Sequence, residues 1–271
     1  MKNNLWRLIP YSTHSAGLNM ALDEAIAESV VAGVAVPTLR FYGWTKPSIT
    51  IGAFQKISDI NLSRCNELEI AVVRRPTGGR AILHGNELTY SFSSVAGKFG
   101  RTHASVPFTD NLLNNYRLIS TAFLRAVKSF GIDAVLSQRR LKRKTLSLGN
   151  PLCFASTSFS ELTVSTGGGG YKVMGAAQKR YDGGFLEQGS IPLSTENGLL
   201  KELFTEADGL LLGLNYFNSS ITIELLMSGV ISAFEETFDI TLKEGHLTNE
   251  EQESAELHEK KYHSDNWTLR R

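Results

Sequence analysis

RRPTGGRAILHGNELTYSF, residues 74–92, is the stretch on which the reading of this chain turns. The strand-like run IAVVRR from Ile70 ends in two arginines and meets Pro76 and the Gly78–Gly79 pair. RAILH from Arg80 then resumes a β-like pattern and ends in His84, and LTYSFS from Leu88 follows. Glycines let a backbone approach a ligand closely, and exposed N–H groups there can hold an anion or a carbonyl. The same residues also fit an ordinary hairpin with a type I′ or II′ turn. No Gly-Lys-Ser/Thr closes the loop, which excludes a Walker A phosphate cradle.

Upstream, Leu18, Ala21, Leu22, Ala25, Ile26 and Val30 recur at helical spacing, and Gly33 reads as the stop. TLRFYGW from Thr38 and SITIGA from Ser48 read as strands. Downstream, residues 110–130 read as a helix with an apolar face from Leu112 to Val127, ended by Gly131. A second β-rich block contains LCFAS, SELTVS, YKVMGAAQ and GFLEQGSIPL, with Gly167 to Gly170 as a hairpin connection. The last 70 or so residues read as helical again. Leu225, Leu226, Val230, Ile231 and Phe234 form one stripe there, and Thr248 and Glu251 have capping-box spacing. Strands and helices come in blocks, which predicts an α+β fold with mixed or antiparallel β-sheets flanked by helices. We expect one catalytic domain over residues 1–271, with a helical C-terminal part over about 215–271.

The bulk numbers narrow the function classes. Among 271 residues, 42% are hydrophobic and 20% charged, with a formal net charge of +1. There is no global field to recruit nucleic acid or an anionic membrane, so neither is expected as a partner. No apolar run approaches the roughly 20 residues needed to span a bilayer. MKNNLWRLIPYSTHS lacks the apolar core of a secretion signal, so a cytoplasmic location is expected. Two cysteines, Cys65 and Cys153, are too few for a disulfide framework or a closed zinc site.

Four features carry candidate chemistry. Cys153 lies among small and hydroxylated residues in PLCFASTSFSEL, where a thiolate could act as a nucleophile or a thiol simply fill space. Lys172 lies in an apolar, Gly/Ala-rich strand, which suits a carbonyl- or thiolate-holding cation or a hairpin end facing solvent. Arg139, Arg140, Lys142, Arg143 and Lys144 place five basic residues in six, either a solvated loop or a docking patch for an acidic partner. His84 could serve as a general base or be an ordinary satisfied polar residue. Cys65, in SRCNELEI, reads as structural.

Taken in order, GLNMALDEAI from Gly17, RRPTGGRAILHGNELTYSF, YKVMGAAQKR with GFLEQGSIPL, and KYHSDNWTLRR resemble the biotin/lipoate A/B protein ligase family. Within it, GGRA and CFASTSFSEL are most similar to the cysteine-dependent octanoyltransferases of lipoate assembly. The resemblance implies a nucleophilic Cys153, a substrate-orienting Lys172, and substrate binding by Arg75, Gly78, Gly79, His84 and Gly175. It implies no cofactor, an acyl carrier protein as octanoyl donor, and a lipoyl domain or glycine-cleavage H protein as acceptor. The alternatives are an ATP-dependent lipoate or octanoate ligase and a non-catalytic carrier-binding protein. Two departures stand out: Gly85 follows the signature histidine where Asp is usual, and STGGGG lengthens the hairpin before Lys172.

Overall fold

The computed structural model describes residues 4–97, 106–137, 152–153, 160–166, 169–205 and 210–270. In chain order the strands are β1 (Leu5–His14), β2 (Thr38–Trp44), β3 (Ser48–Ile51), β4 (Ala71–Arg74), β5 (Ile82–His84) and β6 (Glu87–Val95). They continue as β7 (Ala134–Leu136), β8 (Leu162–Thr166), β9 (Gly169–Lys172), β10 (Gly175–Tyr181), β11 (Gly184–Pro192) and β12 (Thr241–Glu244). The helices are α1 (Ala16–Val31), α2 (Leu62–Glu67), α3 (Leu112–Ser129), α4 (Asn197–Leu203), α5 (Ile223–Phe238), α6 (Asn249–Tyr262) and α7 (Asp265–Thr268).

A six-stranded sheet ordered β10-β11-β6-β2-β1-β12 forms the frame. The first four strands pair antiparallel, while β1 pairs parallel with both β2 and β12. One face carries α3 and α5. There Trp6, Phe92 and Phe185 of the sheet meet Phe123 and Phe234 of the helices, all at most 1% exposed. On the other face lies α1, itself covered by α6. Ser15 caps α1 by accepting from the Leu18 N–H. Because α1 is enclosed on nearly all sides, its polar residues must find partners inside. Asp23 accepts from Arg40 Nη1 (2.6 Å), Tyr42 OH (2.8 Å), Ser91 Oγ (2.6 Å) and Gln188 Nε2 (2.7 Å). This pins helix to sheet directly above β2, β6 and β11.

The mixed, helix-flanked architecture is the α+β arrangement read from the block pattern. Gly33 and Gly131 follow their helices at φ 75° and 74°, and Thr248 with Glu251 forms the capping box. The structure differs in four places. Leu5–His14 is a long strand, and Thr241–Glu244 interrupts the supposedly helical C-terminal part to pair with it. Leu113 and Leu225, read as apolar-face positions, sit in first helical turns and are 59% and 50% exposed. YKVMGAAQ is not one strand: β9 joins the small sheet β7-β8-β9, and β10 joins the large one. Finally, β4 and β5 do not form a Gly-Gly hairpin. Both flank β3, β4 parallel and β5 antiparallel, so residues 75–81 pass across the end of β3. The basic run of residues 139–144 lies outside the described residues. Among the described residues, no helix is long and apolar enough to cross a membrane.

Candidate active site

Cys153 and Lys172 come together because three separate segments converge. Leu152 makes an isolated parallel bridge to Ala81, and the Cys153 N–H donates to the Ala81 carbonyl at 2.9 Å. The cysteine is therefore fastened to the signature stretch. Gly169 and Gly170, read as part of the hairpin connection, belong to β9, whose antiparallel pairing with β8 brings Lys172 opposite Thr163 and beside Glu161. The Lys172 ammonium donates to the Cys153 carbonyl (2.8 Å), to Cys153 Sγ (3.3 Å) and to Glu161 Oε1 (2.7 Å). All three residues are buried, at 8% or less exposure. Burial works against the Lys172 charge, but the Cys153 sulfur and the Glu161 carboxylate outweigh it, and its pKa ends above the usual lysine value. Lys172 is thus a buried, charged partner of the sulfur and not a hairpin-end lysine.

Cys153 opens into a chamber whose walls include Met20, Trp44, Ile82, Ala176 and Ala177. Thr50, Arg75, His84 and Gln188 are among its polar groups. Arg75 is 4% exposed, and among the described residues no carboxylate pairs with it. Its Nη1 donates to Thr50 O and Thr50 Oγ1, both at 3.2 Å. Its Nη2 donates to the Gly78 and Arg80 carbonyls, both at 2.7 Å. No partner of the Nε–H is seen among the described residues. Burial pulls the Arg75 pKa down to about 10, against the opposing pull of the Cys153 sulfur.

The Gly-Gly turn therefore offers carbonyls to Arg75. Gly79 lies at φ +84°, and a Cβ there would stand 2.8 Å from Arg75 Nη2. A Cβ on Gly52 would meet Gly79 O at 1.9 Å, so that crossing is open only to glycine. Gly175 opens β10 opposite Ser190, and the next two residues, Ala176 and Ala177, line the chamber. His84 is 3% exposed and committed at both nitrogens, Nδ1 to Glu87 Oε1 and Nε2 to Thr50 Oγ1 (2.7 Å). Its ring stacks on Trp44 at 3.9 Å between centroids. A base needs a free lone pair toward the proton it removes, so this geometry does not suit His84 to that task.

Sequence reasoning singled out Cys153, Lys172, Arg75 and His84; the structure places Cys153, Arg75 and His84 around one chamber and sets Lys172 against the Cys153 sulfur. It missed Glu161, Thr50, Glu87 and Gln188. Glu161 stands within the quoted SFSEL run and Glu87 three residues after His84, so a search for acidic residues flanking the candidates would have found two of the four. Cys65 packs with Ile49, Ile51 and Leu203 away from the chamber, and burial pushes its thiol pKa up.

The chain belongs to the lipoyl protein ligase A/B catalytic domain family, whose model matches residues 15–210. It is similar to octanoyltransferase LipM of Bacillus subtilis (34% identity, all of both chains) and of Clostridioides difficile (35% identity, 99% of this chain and all of the relative). Among solved structures it resembles lipoate-protein ligase A bound with ATP (TM-score 0.80, 23% identity, 99% of each chain). It also resembles the bipartite lipoate protein ligase of Thermoplasma acidophilum (TM-score 0.77, 23% identity, 99% of this chain and 96% of that one). At this identity the structural likenesses establish the fold alone.

Proposed function

We propose that this protein transfers an octanoyl group from an acyl carrier protein to a lysine of a lipoyl domain or glycine-cleavage H protein, through a thioester on Cys153. The observation that carries the reading is the buried Lys172 ammonium 3.3 Å from Cys153 Sγ. Full-length similarity to octanoyltransferases supports the acyl group and the reaction class. A cation beside a sulfur stabilises negative charge on it, and the thiolate is the nucleophilic form. In the first half, Sγ bonds to the donor's carbonyl carbon, the bond from that carbon to the carrier sulfur breaks, and the carrier thiolate takes up a proton. One thioester replaces another, so no ATP is consumed. In the second half, the neutral amine of the acceptor lysine attacks the acyl-Cys153 carbonyl. The amide forms, Sγ leaves, and the proton shed by nitrogen restores the Cys153 thiol.

Each half passes through an oxyanion. Lys172, against the sulfur, and Arg75, in the chamber wall, are the cations available to it, and fixed donors in a dry site are worth more than in water. The apolar walls around Met20, Trp44 and Ile82 would receive the acyl chain. The test is intact mass of the purified protein after mixing with octanoyl-carrier protein, without ATP. One octanoyl adduct on the wild type, absent from Cys153→Ala and discharged by an acceptor domain, is the expected result. No adduct, with acceptor acylation only when ATP and free octanoate are supplied, would replace the transferase by a ligase.

A further inference from the structure

Arg75 is a buried cation without a carboxylate among the described residues. Glu87 is a buried carboxylate, 3% exposed, with no lysine or arginine paired to it among the described residues; it meets His84 instead. The two charges are joined by hydrogen bonds. Arg75 Nη1 meets Thr50 Oγ1 at 3.2 Å, Thr50 Oγ1 meets His84 Nε2 at 2.7 Å, and His84 Nδ1 meets Glu87 Oε1. Proton directions along this string follow from the chemistry of each group. A guanidinium only donates, so Thr50 Oγ1 accepts from Arg75. An ionised carboxylate only accepts, so His84 carries its proton on Nδ1. When the ring is neutral, Nε2 is then an acceptor and the Thr50 hydroxyl proton fills it. Every donor points from the cation toward the anion.

The far end is built to keep Glu87 ionised. Thr89 Oγ1, Trp44 Nε1 (3.1 Å) and Ser190 Oγ (2.7 Å) all donate to it. Burial raises the Glu87 pKa, but His84 and these hydroxyls outweigh burial and leave it below the usual glutamate value. The Trp44 ring also stacks on His84, which fixes the plane of the imidazole.

We propose that Glu87, His84 and Thr50 form a positioning relay that supplies the counter-charge of Arg75 from a distance and holds its guanidinium at the Cys153 chamber. A carboxylate in direct contact would occupy a face of the guanidinium and neutralise it locally. A carboxylate two hydrogen-bonded groups away offsets the burial of the cation yet leaves the Nε–H for the acyl carbonyl. The relay also gives His84 a role that uses both of its committed nitrogens. Glu87, His84 and Thr50 need not touch the acyl carbonyl; they act through Arg75. The inference rests on the acyl-Cys153 reading above.

The test is the single-turnover rate of Cys153 octanoylation, followed by intact mass against octanoyl-carrier protein concentration. Glu87→Gln, His84→Leu and Thr50→Val each break one link. Each should lower the limiting rate about tenfold or more, the scale of a hydrogen bond to a charged group, and move the half-saturating donor concentration less than about threefold. His84→Gln, which offers one donor and one acceptor, should recover part of the loss. The deciding arm is the Arg75→Met background, where Glu87→Gln and Thr50→Val should cost nothing further if they act through Arg75. The same loss in that background, or wild-type rates for Thr50→Val, would overturn the relay. Should Glu87→Gln fail to fold, Thr50→Val, nearly identical in shape, carries the test. A wild type that forms no adduct would instead refute the acyl-Cys153 reading.

Discussion

Replacing Glu187 with glutamine should stabilise this fold increasingly as pH rises. Glu187 lies on β11, fully buried between Gln178 of β10 and the core side of β6. Burial pushes its pKa up to about 8, despite hydrogen bonds from Gln178 Nε2 (2.6 Å) and Tyr90 OH (2.8 Å). The protonated acid also has a waiting acceptor. Gln178 Oε1 is buried without a partner among the described residues, and a flip of that amide would turn it toward a Glu187 O–H. Between the unfolded value of 4.5 and about 8, the folded state holds a proton that the unfolded state has released. Stability therefore falls as pH rises through this window, by about 1.36 kcal/mol per pH unit from this group alone. Over 3.5 units the loss is about 5 kcal/mol, complete once pH exceeds the folded pKa. Glutamine mimics the protonated acid and has nothing to lose. Urea unfolding of both proteins at pH 5, 7 and 9 would measure the difference. The variant's advantage should grow by several kcal/mol from pH 5 to pH 9. A constant difference across that range would refute the neutral, buried Glu187.

The opposite pH dependence is expected at Glu24, where hydrogen bonds from Lys179 (2.8 Å), Lys261 (2.5 Å) and Tyr262 (2.7 Å) outweigh burial and hold the pKa at about 2. Its contribution is full above pH 4.5 and is lost as pH falls through about 2, so Glu24→Gln should cost about 3 kcal/mol at pH 7 and little at pH 2, read by denaturant unfolding. Lys172→Met should abolish octanoylation of Cys153 and destabilise the fold by about 3 kcal/mol, because the Glu161 carboxylate stays buried without its ammonium. Adding Glu161→Gln should restore the stability but not the adduct, seen by thermal unfolding and intact mass together. Reversing the charges of Arg139, Arg140 and Lys142 should raise the apparent KM for carrier-bound octanoate and flatten its salt dependence. An unchanged KM and salt profile would remove that run from donor docking.

Local pattern carried much of this protein. The period of Leu18, Ala21, Leu22, Ala25, Ile26 and Val30 reports α1, and Thr248 with Glu251 reports the start of α6, because both signals live within one or two turns of chain. Cys153 and Lys172 stand out because a cysteine or lysine in a small, apolar context is chemically unusual. What tertiary structure decided were the partners. No local signal says that Thr241–Glu244 will pair parallel with a strand more than 200 residues earlier, or that YKVMGAAQ will divide between two sheets. Nor does one say that β4 and β5 will clasp β3 between them, which lets Arg75 reach Thr50 and Thr50 reach His84. Periodicity is set by the geometry of one segment, whereas strand order and buried charge pairing are set by which distant segments can close a core and satisfy each other's polar groups.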